Sequence, residues 1–403
     1  SGHDVKTSKP TSSLVSDMEH NYSGKALKDL KVALVHYWLV TWRGGEKVIK
    51  AILELFPNTD IYTLFLDDQL KKAYLPNYTI YPSVLNKVGF FKRHHQKIFP
   101  LYPIGINSLH LKDRYDLIIS SESGPAKGIK KPPNTPHICY VHTPMRYCWG
   151  FTDEYLKALP APIRPIANIF LTLLREWDKT TINNVDLYLA NSNNVKERIR
   201  RFYNRDAHVI YPPIDSTLFK GNDLKPKGSR GQYFLSFGAL VPYKKIDLLV
   251  SLFNKRKDRL IIIGDGSERK RLEEKAGANI DFKGYVPDGE LKDYIINSKA
   301  LIFPGEEDFG MIPLEVMACG VPVIAFGKGG ALETVVENDN PEKSTGLFFH
   351  KQSEEELAEA INRFERLETH FDPIFIREHA RQFEESNFKK RFYEEVSRFM
   401  EMS

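Results

Sequence analysis

The chain has 403 residues, 42% of them hydrophobic and 27% charged, which is typical of a globular protein and excludes a collagen, a coiled coil and a wholly disordered chain. The net charge of +5 says little about a partner unless the basic residues cluster. Three cysteines, Cys139, Cys148 and Cys319, are too few and too scattered for a disulfide framework or a zinc site. No run approaches the roughly 20 apolar residues of a spanning helix. We therefore expect a cytoplasmic protein with two domains.

In chain order, residues 1–29 are interpreted as a tail that is disordered or in part derived from cloning. The N-terminal domain, 30–212, begins with a short apolar run that predicts a buried strand at 31–36. Further strands are predicted at 116–120, 137–141 and 186–190, with segments of helical length between them. Strands that alternate with helices indicate a parallel sheet covered on both faces.

A second alternation follows a Pro-Pro break and predicts a C-terminal domain over 213–380. Its predicted strands are 233–237, 260–263, 280–282, 300–303, 322–325 and 346–349, and its predicted helices are 244–254, 267–276, 288–297, 311–319 and 331–337. Amphipathic helices are predicted at 353–367 and 375–401, and segment 381–403 is expected to pack back on the N-terminal domain. The fold class is α/β, with two Rossmann-like, doubly wound domains that face a central cleft, the usual ligand site in such folds.

Two common nucleotide-binding classes are excluded by the loops of these domains. The first strand leads into His36-Tyr-Trp-Leu-Val-Thr-Trp-Arg-Gly-Gly45, which does not match the G-x-G-x-x-G dinucleotide fingerprint. Gly264-Asp-Gly266 lacks the third glycine, and no Walker A loop is present.

The clearest local signal is an acidic, Gly-containing loop that leads into a helix near Gly310. A helix N-terminus at the carboxyl edge of a parallel sheet offers free amides to a phosphate group. Glu307 precedes this helix start and Glu315 lies inside the helix, so that both carboxylates can flank a bound diphosphate and contact sugar hydroxyls. In the alternative interpretation, Glu307 is a solvated charge on the loop and Glu315 is a residue on the helix surface.

This element resembles the E-x7-E motif of the retaining GT-B glycosyltransferases of family 4. The resemblance extends over nearly the whole chain from Lys31 through several further motifs. They are Gly44-Gly45-Glu46, Val141-His-Thr-Pro144, Leu189-Ala-Asn-Ser192, Val209-Ile-Tyr-Pro-Pro-Ile-Asp215, Gly238-Ala-Leu-Val-Pro-Tyr-Lys-Lys245, Ile263-Gly-Asp-Gly266 and Gly284-Tyr-Val286. His142-Thr-Pro-Met-Arg-Tyr147, Arg175-Glu-Trp-Asp178 and the Pro-Pro-Ile-Asp stretch are most similar to the O-antigen mannosyltransferase branch.

The resemblance implies a metal-independent hexosyltransferase without a cofactor, which moves mannose from GDP-mannose to a lipid-linked or polysaccharide acceptor. It implies catalytic roles for Glu307, His142 and Lys244, with Lys244 neutralising the donor diphosphate. The implied donor-binding set is Gly44, Gly45, Lys244, Lys245, Tyr285, Val286, Glu307, Phe309, Gly310, Met311, Ile312 and Glu315. The sequence departs from the family at Ala239, where an arginine is usual, and Lys245 or Arg43 is a candidate substitute.

Each role has a structural alternative. Lys244 is alternatively a surface lysine in the first turn of a helix. Gly44-Gly45 is alternatively a simple turn, and His142 is alternatively a structural histidine at the end of a strand. Glu46 is expected either to face the acceptor hydroxyl or to cap the helix that follows. Cys148 is read as a small buried residue rather than a nucleophile. Several alternatives remain open: another donor (a UDP-sugar or a GDP-deoxysugar), an epimerase, a phosphorylase and a non-catalytic sugar-nucleotide sensor. A glycosidase fits less well, because both carboxylates flank a phosphate site.

A basic segment with interleaved aromatic residues lies between Asp68 and Asp113, where the chain has no acidic residue. Its densest part contains Lys87, Lys92, Arg93 and Lys97. No nucleic-acid-binding module surrounds it, so nucleic acid is not the expected partner. A solvated loop is one interpretation. The other is a surface that binds the acceptor and anionic lipid at the inner face of the cytoplasmic membrane, with the apolar stretch 163–174 as a second contact.

Overall fold

The structure is a computed structural model that describes residues 21–22, 25–221 and 223–402. The described residues divide into two compact units: those up to 191, with 196–213 and 386–402, form the first, and those of 192–195 and 214–385 form the second. Most of the predicted tail lies outside the described residues. Leu27 and Leu30 are buried in the core of the first unit, so its packed structure begins before the predicted first strand.

The first unit is built on a parallel sheet. Its strands, in chain order, are β1 (Asn21–Tyr22), β2 (Lys25–Ala26), β3 (Val32–His36), β4 (Thr59–Thr63), β5 (Ile80–Pro82), β6 (Leu117–Glu122), β7 (His137–Val141), β8 (Leu187–Ala190) and β9 (His208–Val209). β1 and β2 form an antiparallel pair, and the others form one parallel sheet in the order β5-β4-β3-β6-β7-β8-β9. The central strands β3, β6 and β7 are buried along their whole length, as expected for a sheet covered on both faces.

The second unit repeats this architecture with a parallel sheet in the order β12-β11-β10-β13-β14-β15. Its strands are β10 (Tyr233–Phe237), β11 (Leu260–Ile263), β12 (Ile280–Gly284), β13 (Ser298–Phe303), β14 (Val323–Phe326) and β15 (Gly346–Phe349). The strand order reverses between β10 and β13, which is the position where doubly wound sheets bind their ligands at the carboxyl ends of the strands.

Helices connect the strands of both sheets. They are α1 (Gly44–Leu55), α2 (Asp68–Tyr74), α3 (Gly89–Arg93), α4 (Tyr102–Ser108), α5 (Thr152–Lys157), α6 (Arg164–Thr181), α7 (Asn193–Tyr203), α8 (Ile246–Phe253), α9 (Arg269–Lys275), α10 (Asp288–Ile296), α11 (Met311–Ala318), α12 (Ala331–Thr334), α13 (Glu354–Leu367), α14 (Pro373–Arg381) and α15 (Glu385–Met402). The predicted α/β class with two Rossmann-like domains is confirmed.

The C-terminal helix α15 belongs to the core of the first unit. Phe388, Phe392 and Val396 recur every four residues and lie on one buried face. Phe392 packs against Phe56 with ring centroids 6.4 Å apart, and Phe388 packs against Tyr140 at 5.9 Å. The buried apolar side chains of this helix therefore pack in the core of the first unit.

One helix prediction is wrong: residues 375–401 form two helices rather than one. The chain leaves α14 after Arg381 and enters α15 at Glu385. Between them, the Phe383 carbonyl accepts a hydrogen bond from the Ile214 N–H at 2.9 Å, and the Glu385 N–H donates to the Ile214 carbonyl at 3.2 Å. This short bridge to a distant segment replaces helical hydrogen bonds and ends the first helix.

Candidate functional site

The acidic loop of the second unit runs from the end of β13 to the first residue of α11. Helix α11 begins at Met311, directly after Gly310, and places the first amides of Met311 and Ile312 at the carboxyl edge of the sheet. Both residues are half-buried, and Pro313, which has no N–H, occupies the third helical position at no cost in hydrogen bonding. The helix start predicted after the acidic loop is therefore present in the fold.

Lys244 and Glu307 form an ion pair within the second unit. Lys244 ends the turn that follows β10, and Glu307 lies on the loop that follows β13. The two side chains are only 13% and 15% exposed. Because β10 and β13 are adjacent parallel strands, their carboxyl ends bring these two residues together although 63 positions separate them.

Three glycines hold the acidic loop against its neighbours. A Cβ on Gly305 would lie 2.8 Å from the Tyr243 carbonyl oxygen, and a Cβ on Gly330 would lie 2.2 Å from the Phe309 Cα. The Gly330 N–H also donates to the Glu307 carbonyl at 2.8 Å. Gly310 has a φ of 81°, a conformation that favours glycine, and it lies beside the Glu307 carboxylate. The loop is therefore fixed in place by close backbone packing.

The other predicted donor-binding residues of the second unit surround the same sheet edge. Lys245 follows Lys244 in the left-handed conformation and caps α8, Phe309 is buried beneath the loop, and Glu315 is half-buried inside α11. Tyr285 follows β12 with 82% of its surface exposed, and its neighbour Val286 is half-buried. An exposed ring in this position is available for stacking on a planar base.

The position where the family arginine is missing lies directly after β10. Gly238 has a φ of 127°, and a Cβ there would lie 2.9 Å from the Ile312 Cδ1 and 4.0 Å from the Lys244 Nζ. Ala239 follows it and supplies no charge. Of the two candidate substitutes, Lys245 belongs to the same unit as Ala239, and Arg43 belongs to the other unit.

In the first unit, the Gly-Gly motif opens α1. A Cβ on Gly45 would lie 2.4 Å from the Tyr37 hydroxyl and 3.7 Å from the His142 Nε2. Glu46 is 2% exposed, and its carboxylate accepts hydrogen bonds from the Arg43 N–H at 3.3 Å and from the Thr41 hydroxyl at 3.4 Å. These contacts support the capping alternative for Glu46 over a direct contact with an acceptor.

His142 directly follows the carboxyl end of β7. Its backbone is held by two hydrogen bonds, from its N–H to the Glu122 carbonyl at 2.8 Å and from the Asn191 side-chain amide to its carbonyl at 3.0 Å. Its Nε2 lies 2.7 Å from the Ser121 Oγ. Burial, and secondarily the charge of His36, lowers the pKa of His142 to about 3, so that the ring is neutral at physiological pH. A neutral imidazole donates a hydrogen bond from one ring nitrogen and accepts one at the other.

The basic segment is exposed as predicted at Lys87, Arg93 and Lys97, and Lys92 is half-buried. Within the dense part of the segment, Phe90 is 56% exposed, whereas Phe99 and Tyr102, which follow that part, are buried. The physical reason is that the turn Phe99–Leu101 packs against α6 and α5, where Phe99 lies 6.0 Å from the Tyr155 ring. The Tyr102 hydroxyl donates to the His95 carbonyl at 2.6 Å.

Helix α6 and the residue before it carry both buried and exposed apolar residues. Leu171 and Leu174 are buried against the first unit. The other face is exposed and also apolar, with exposed fractions between 42% and 60%, at Ile163, Ile166, Ile169, Phe170 and Leu173. We call these five residues the apolar face. A solvent-exposed helix face ordinarily carries polar residues, and the apolar face departs from that pattern.

Cys148 is 1% exposed, and burial raises its pKa to about 12, which confirms its interpretation as a small buried residue.

Across the described residues, no group of His, Cys, Asp or Glu side chains has an arrangement that could hold a metal ion. No helix in the same part of the chain is both long enough and apolar enough to cross a membrane.

Two family models match this chain, and one match ends and the other begins near the boundary between the units. Residues 42–218 match Glycosyltransferase Family 4, and residues 223–390 match Glycosyl transferases group 1. Alpha-1,3/1,6-mannosyltransferase ALG2 of Saccharomyces cerevisiae is 24% identical over 264 residues, which cover 52% of this chain and 52% of that protein. A GDP-mannose-dependent alpha-(1-6)-phosphatidylinositol dimannoside mannosyltransferase of Mycobacterium tuberculosis is 36% identical over 101 residues, 24% of this chain and 26% of that protein. The chain spans about half the length of the first curated relatives that it matches.

Solved structures resemble nearly the whole chain. Anabaena HepE, in complex with UDP and glucose, has a TM-score of 0.67 at 17% identity and covers 91% of this chain and 99% of its own. Sucrose-phosphate synthase of Thermosynechococcus elongatus has a TM-score of 0.71 at 20% identity and covers 92% of this chain and 99% of its own. The fold is GT-B. Each half of this GT-B chain matches one of the two glycosyltransferase models.

Sequence reasoning on this GT-B chain missed two residues next to His142. His36 and Ser121 are register partners on β3 and β6, and both are fully buried. Neither belongs to a motif, and 85 positions separate them, so only the register of the two strands reveals the contact. The signal available in the sequence for these two residues was a polar side chain at the carboxyl end of a predicted central strand.

Proposed function

We propose that this protein transfers a hexose from a nucleoside diphosphate sugar to an acceptor hydroxyl, with retention of the anomeric configuration. The preferred donor is GDP-mannose, and the acceptor is a lipid-linked or polysaccharide glycan. The activities of the relatives support mannose: ALG2 is an alpha-1,3/1,6-mannosyltransferase and the mycobacterial protein is GDP-mannose-dependent. The O-antigen branch rests on the sequence resemblance alone.

The ion pair between Lys244 and Glu307 is the observation that carries this proposal. A lysine and a glutamate that are mostly buried beside a helix N-terminus provide a cation for a diphosphate and a carboxylate for sugar hydroxyls in one place. When the donor binds, the diphosphate takes the Lys244 ammonium as its partner, and the Glu307 carboxylate is released to accept hydrogen bonds from the sugar.

The chemistry follows from this arrangement. The bond between the anomeric carbon and the diphosphate oxygen breaks, and the acceptor oxygen attacks on the face from which the diphosphate leaves. The acceptor proton passes to the departing diphosphate, so the reaction needs no protein nucleophile. Negative charge develops on the leaving group, where Lys244 and the amides of Met311 and Ile312 stabilise it, which is commonly the largest contribution to catalysis.

The remaining roles divide between the units. Glu315, Phe309, Lys245, Tyr285 and Val286 are proposed to shape the nucleotide site in the second unit. In the first unit, Gly44 and Gly45 allow close approach of backbone to substrate, and His142 contacts a sugar hydroxyl. No cofactor is proposed.

The acceptor is proposed to come from an anionic lipid surface at the inner face of the cytoplasmic membrane. Support comes from the apolar face of α6 and from the basic residues Lys87, Lys92, Arg93 and Lys97, all in the first unit. The turn Phe99–Leu101, which follows the basic residues directly, packs against α6. Residues 163–174 contain one charged residue, Arg164, and no acid, so this stretch itself carries no negative charge that would repel anionic lipid.

The discriminating experiment is a thermal-shift panel of GDP-mannose, GDP, UDP-glucose and UDP, followed by NMR of the anomeric proton of any product. A ligand at a hundred times its dissociation constant stabilises the folded state by about 2.7 kcal/mol. We expect GDP-mannose to give the largest shift and the product to keep the configuration of the donor. Stabilisation by UDP-glucose alone would replace the donor, an epimerised sugar nucleotide would indicate an epimerase, and binding without transfer or donor hydrolysis would indicate a sensor.

A further inference from the structure

The side chain of Arg198 bridges two separate points of the loop that follows β7. This loop, residues 143–151, begins directly after His142, and Arg198 lies on α7 in the same unit. The Arg198 Nη1 donates to the Thr143 Oγ1 at 2.6 Å, and its Nη2 donates to the Trp149 carbonyl at 2.6 Å. A longer bond of 3.5 Å joins Nη2 to the Pro144 carbonyl. One guanidinium group therefore ties the start of the loop to its later part.

The chemistry of the groups fixes the direction of these hydrogen bonds. An arginine side chain only donates, and a backbone carbonyl only accepts. The Thr143 hydroxyl donates its own proton to the Pro144 carbonyl at 2.9 Å, and its oxygen accepts from Arg198. The two short bonds leave from two nitrogens of one rigid, planar fork, so a lysine, which has a single nitrogen on a flexible stem, does not reproduce them.

Two aromatic rings orient the Arg198 guanidinium. Its central carbon lies 5.2 Å from the centroid of the Phe151 ring and 5.6 Å from that of the Phe202 ring. Both distances are within the range in which a cation is attracted to a ring face. Phe151 belongs to the loop itself, where its N–H donates to the Arg146 carbonyl at 3.1 Å. The half-buried Arg198 side chain is thus packed against the loop that it bridges.

A second arginine, Arg175 on α6, holds the far end of the same loop. Its Nε donates to the Cys148 carbonyl at 2.6 Å, and its Nη2 donates to the Thr152 Oγ1 at 3.0 Å. Of these two arginines, Arg198 is the one whose hydrogen bonds reach Thr143, the residue next to His142. The start of the loop therefore depends on Arg198 more than on Arg175.

We infer that Arg198 is a positioning residue, which fixes the backbone directly after His142 and thereby the place of the His142 side chain beside the sugar. The sheet holds the His142 N–H and carbonyl through Glu122 and Asn191. Arg198 holds the chain that follows, beginning at Thr143. Arg198 acts through this loop and is assigned no contact with substrate. The inference rests on the proposed function for the identity of the reaction, whereas the bridge is a property of the first unit.

The bridge can be measured without any substrate. Hydrogen–deuterium exchange of the full chain, read by mass spectrometry, reports on the loop amides, among them the N–H groups of Cys148 and Trp149, which donate to the Met145 carbonyl at 3.0 and 2.9 Å. Arg198→Lys should make the loop amides exchange about tenfold faster, the change expected when a hydrogen bond to a charged group is lost. Peptides of the second unit should exchange as in the wild type.

Arg200→Lys is the matched control. Arg200 lies on the same helix, and its Nη2 donates to the Asp206 Oδ1 at 2.9 Å in an exposed ion pair. This variant makes the same substitution two positions away and should leave both loop exchange and kcat at the wild-type values. If Arg198→Lys does not fold, Thr143→Val removes the acceptor of one short bond, keeps the shape of that side chain, and should produce the same two changes to a smaller extent.

Kinetics separates positioning from a purely structural role. A small displacement near the reacting atoms costs up to about a hundredfold in rate. Arg198→Lys should therefore lower kcat by about tenfold to a hundredfold, while the donor KM and the thermal shift by GDP-mannose stay close to wild type. Loop exchange equal to that of Arg200→Lys, or faster exchange with an unchanged kcat, would overturn the inference. Faster exchange in Arg198→Lys together with no sugar transfer by the wild type would instead refute the proposed function and leave the bridge intact.

Discussion

The Lys244 ammonium and the Glu307 carboxylate form an ion pair that joins the turn after β10 to the loop after β13. The two strands are adjacent and parallel, so both residues lie at the same edge of the sheet. Each side chain neutralises the other and holds it close to the helix N-terminus at Met311. The pair therefore pre-organises one cation and one anion for a ligand that carries a diphosphate and hydroxyl groups.

Replacing either member of this pair should impair catalysis much more than stability. We expect Lys244→Ala and Glu307→Ala each to lower kcat by on the order of a hundredfold, comparable to the loss of one oxyanion-hole donor. Steady-state kinetics with the donor identified by thermal shift measures this directly. Circular dichroism should confirm that both variants remain folded.

Lys255→Ala is the control for that experiment. Lys255 pairs with Glu354 in the same unit at 2.5 Å, but its side chain is 68% exposed. Loss of this pair should leave kcat within a factor of two of wild type, since exposed pairs contribute less than about 1 kcal/mol. A Lys244→Ala variant as active as Lys255→Ala would remove Lys244 from the mechanism.

Sugar transfer should not require a divalent metal. The sequence contains no Asp-x-Asp motif, and the proposed partners of the diphosphate are Lys244 and helix amides. We expect full activity after treatment with EDTA and no stimulation by added magnesium or manganese. Activity lost on chelation and restored only by one of these metals would contradict the proposed charge neutralisation.

Most of the fold could be predicted from apolar runs, but several short strands could not. Strand Thr59–Thr63 is polar at three of its five positions, and these polar groups have hydrogen-bond partners outside the strand. The Asp60 carboxylate accepts from the Tyr115 hydroxyl at 2.7 Å, and the Thr59 hydroxyl donates to the Phe56 carbonyl. Such a strand is stabilised by tertiary contacts that leave no periodic pattern in the sequence.

The residues proposed for the site were predictable to the extent that they belong to local motifs. Lys244, Glu307 and His142 each follow a predicted strand, so their position at a sheet edge could be expected. Ser121 and His36 could not, because their contact depends on the register between β3 and β6. The burial of Tyr102 could likewise not be predicted from the sequence, since it depends on how the basic segment folds against the rest of the unit.

Stability should depend on pH through the buried carboxyl of Glu122. Burial raises its pKa to about 7, although the Lys127 ammonium opposes this shift. An acid with a raised pKa binds its proton more tightly in the folded state, so its contribution to stability is complete below the unfolded pKa near 4.5 and is lost as the pH rises to about 7.

Glu122→Gln should remove this dependence, because the amide has the same shape and does not ionise. Between pH 4.5 and 7, the unfolding free energy of the wild type should fall relative to that of the variant by on the order of 1–3 kcal/mol, as measured by urea denaturation. Glu154→Gln, at an exposed carboxyl in the same unit, should follow the wild type. Parallel curves for wild type and Glu122→Gln would show that Glu122 is ionised throughout this range.

Binding to anionic vesicles should need both the basic residues and the apolar face of the first unit. Each basic residue near an anionic surface contributes about 1 kcal/mol, and this contribution is screened by salt. Charge reversal at Lys92, Arg93 and Lys97 should abolish flotation with vesicles that contain phosphatidylglycerol and leave the thermal shift by GDP-mannose unchanged. Reversal at Lys257, Lys270 and Lys275, three exposed lysines of the second unit, is the control and should leave flotation intact.

The apolar face is tested separately by Ile166→Asp and Ile169→Asp, which place acids at two positions that are 57% and 60% exposed. Because neither side chain is buried, both variants should fold with wild-type stability. We expect each to weaken flotation at every salt concentration, since the loss of apolar contact is not screened by ions, whereas the charge-reversal variant should differ from wild type mainly at low salt. Equal binding of wild type and all variants to neutral and anionic vesicles would contradict a lipid surface as the source of the acceptor.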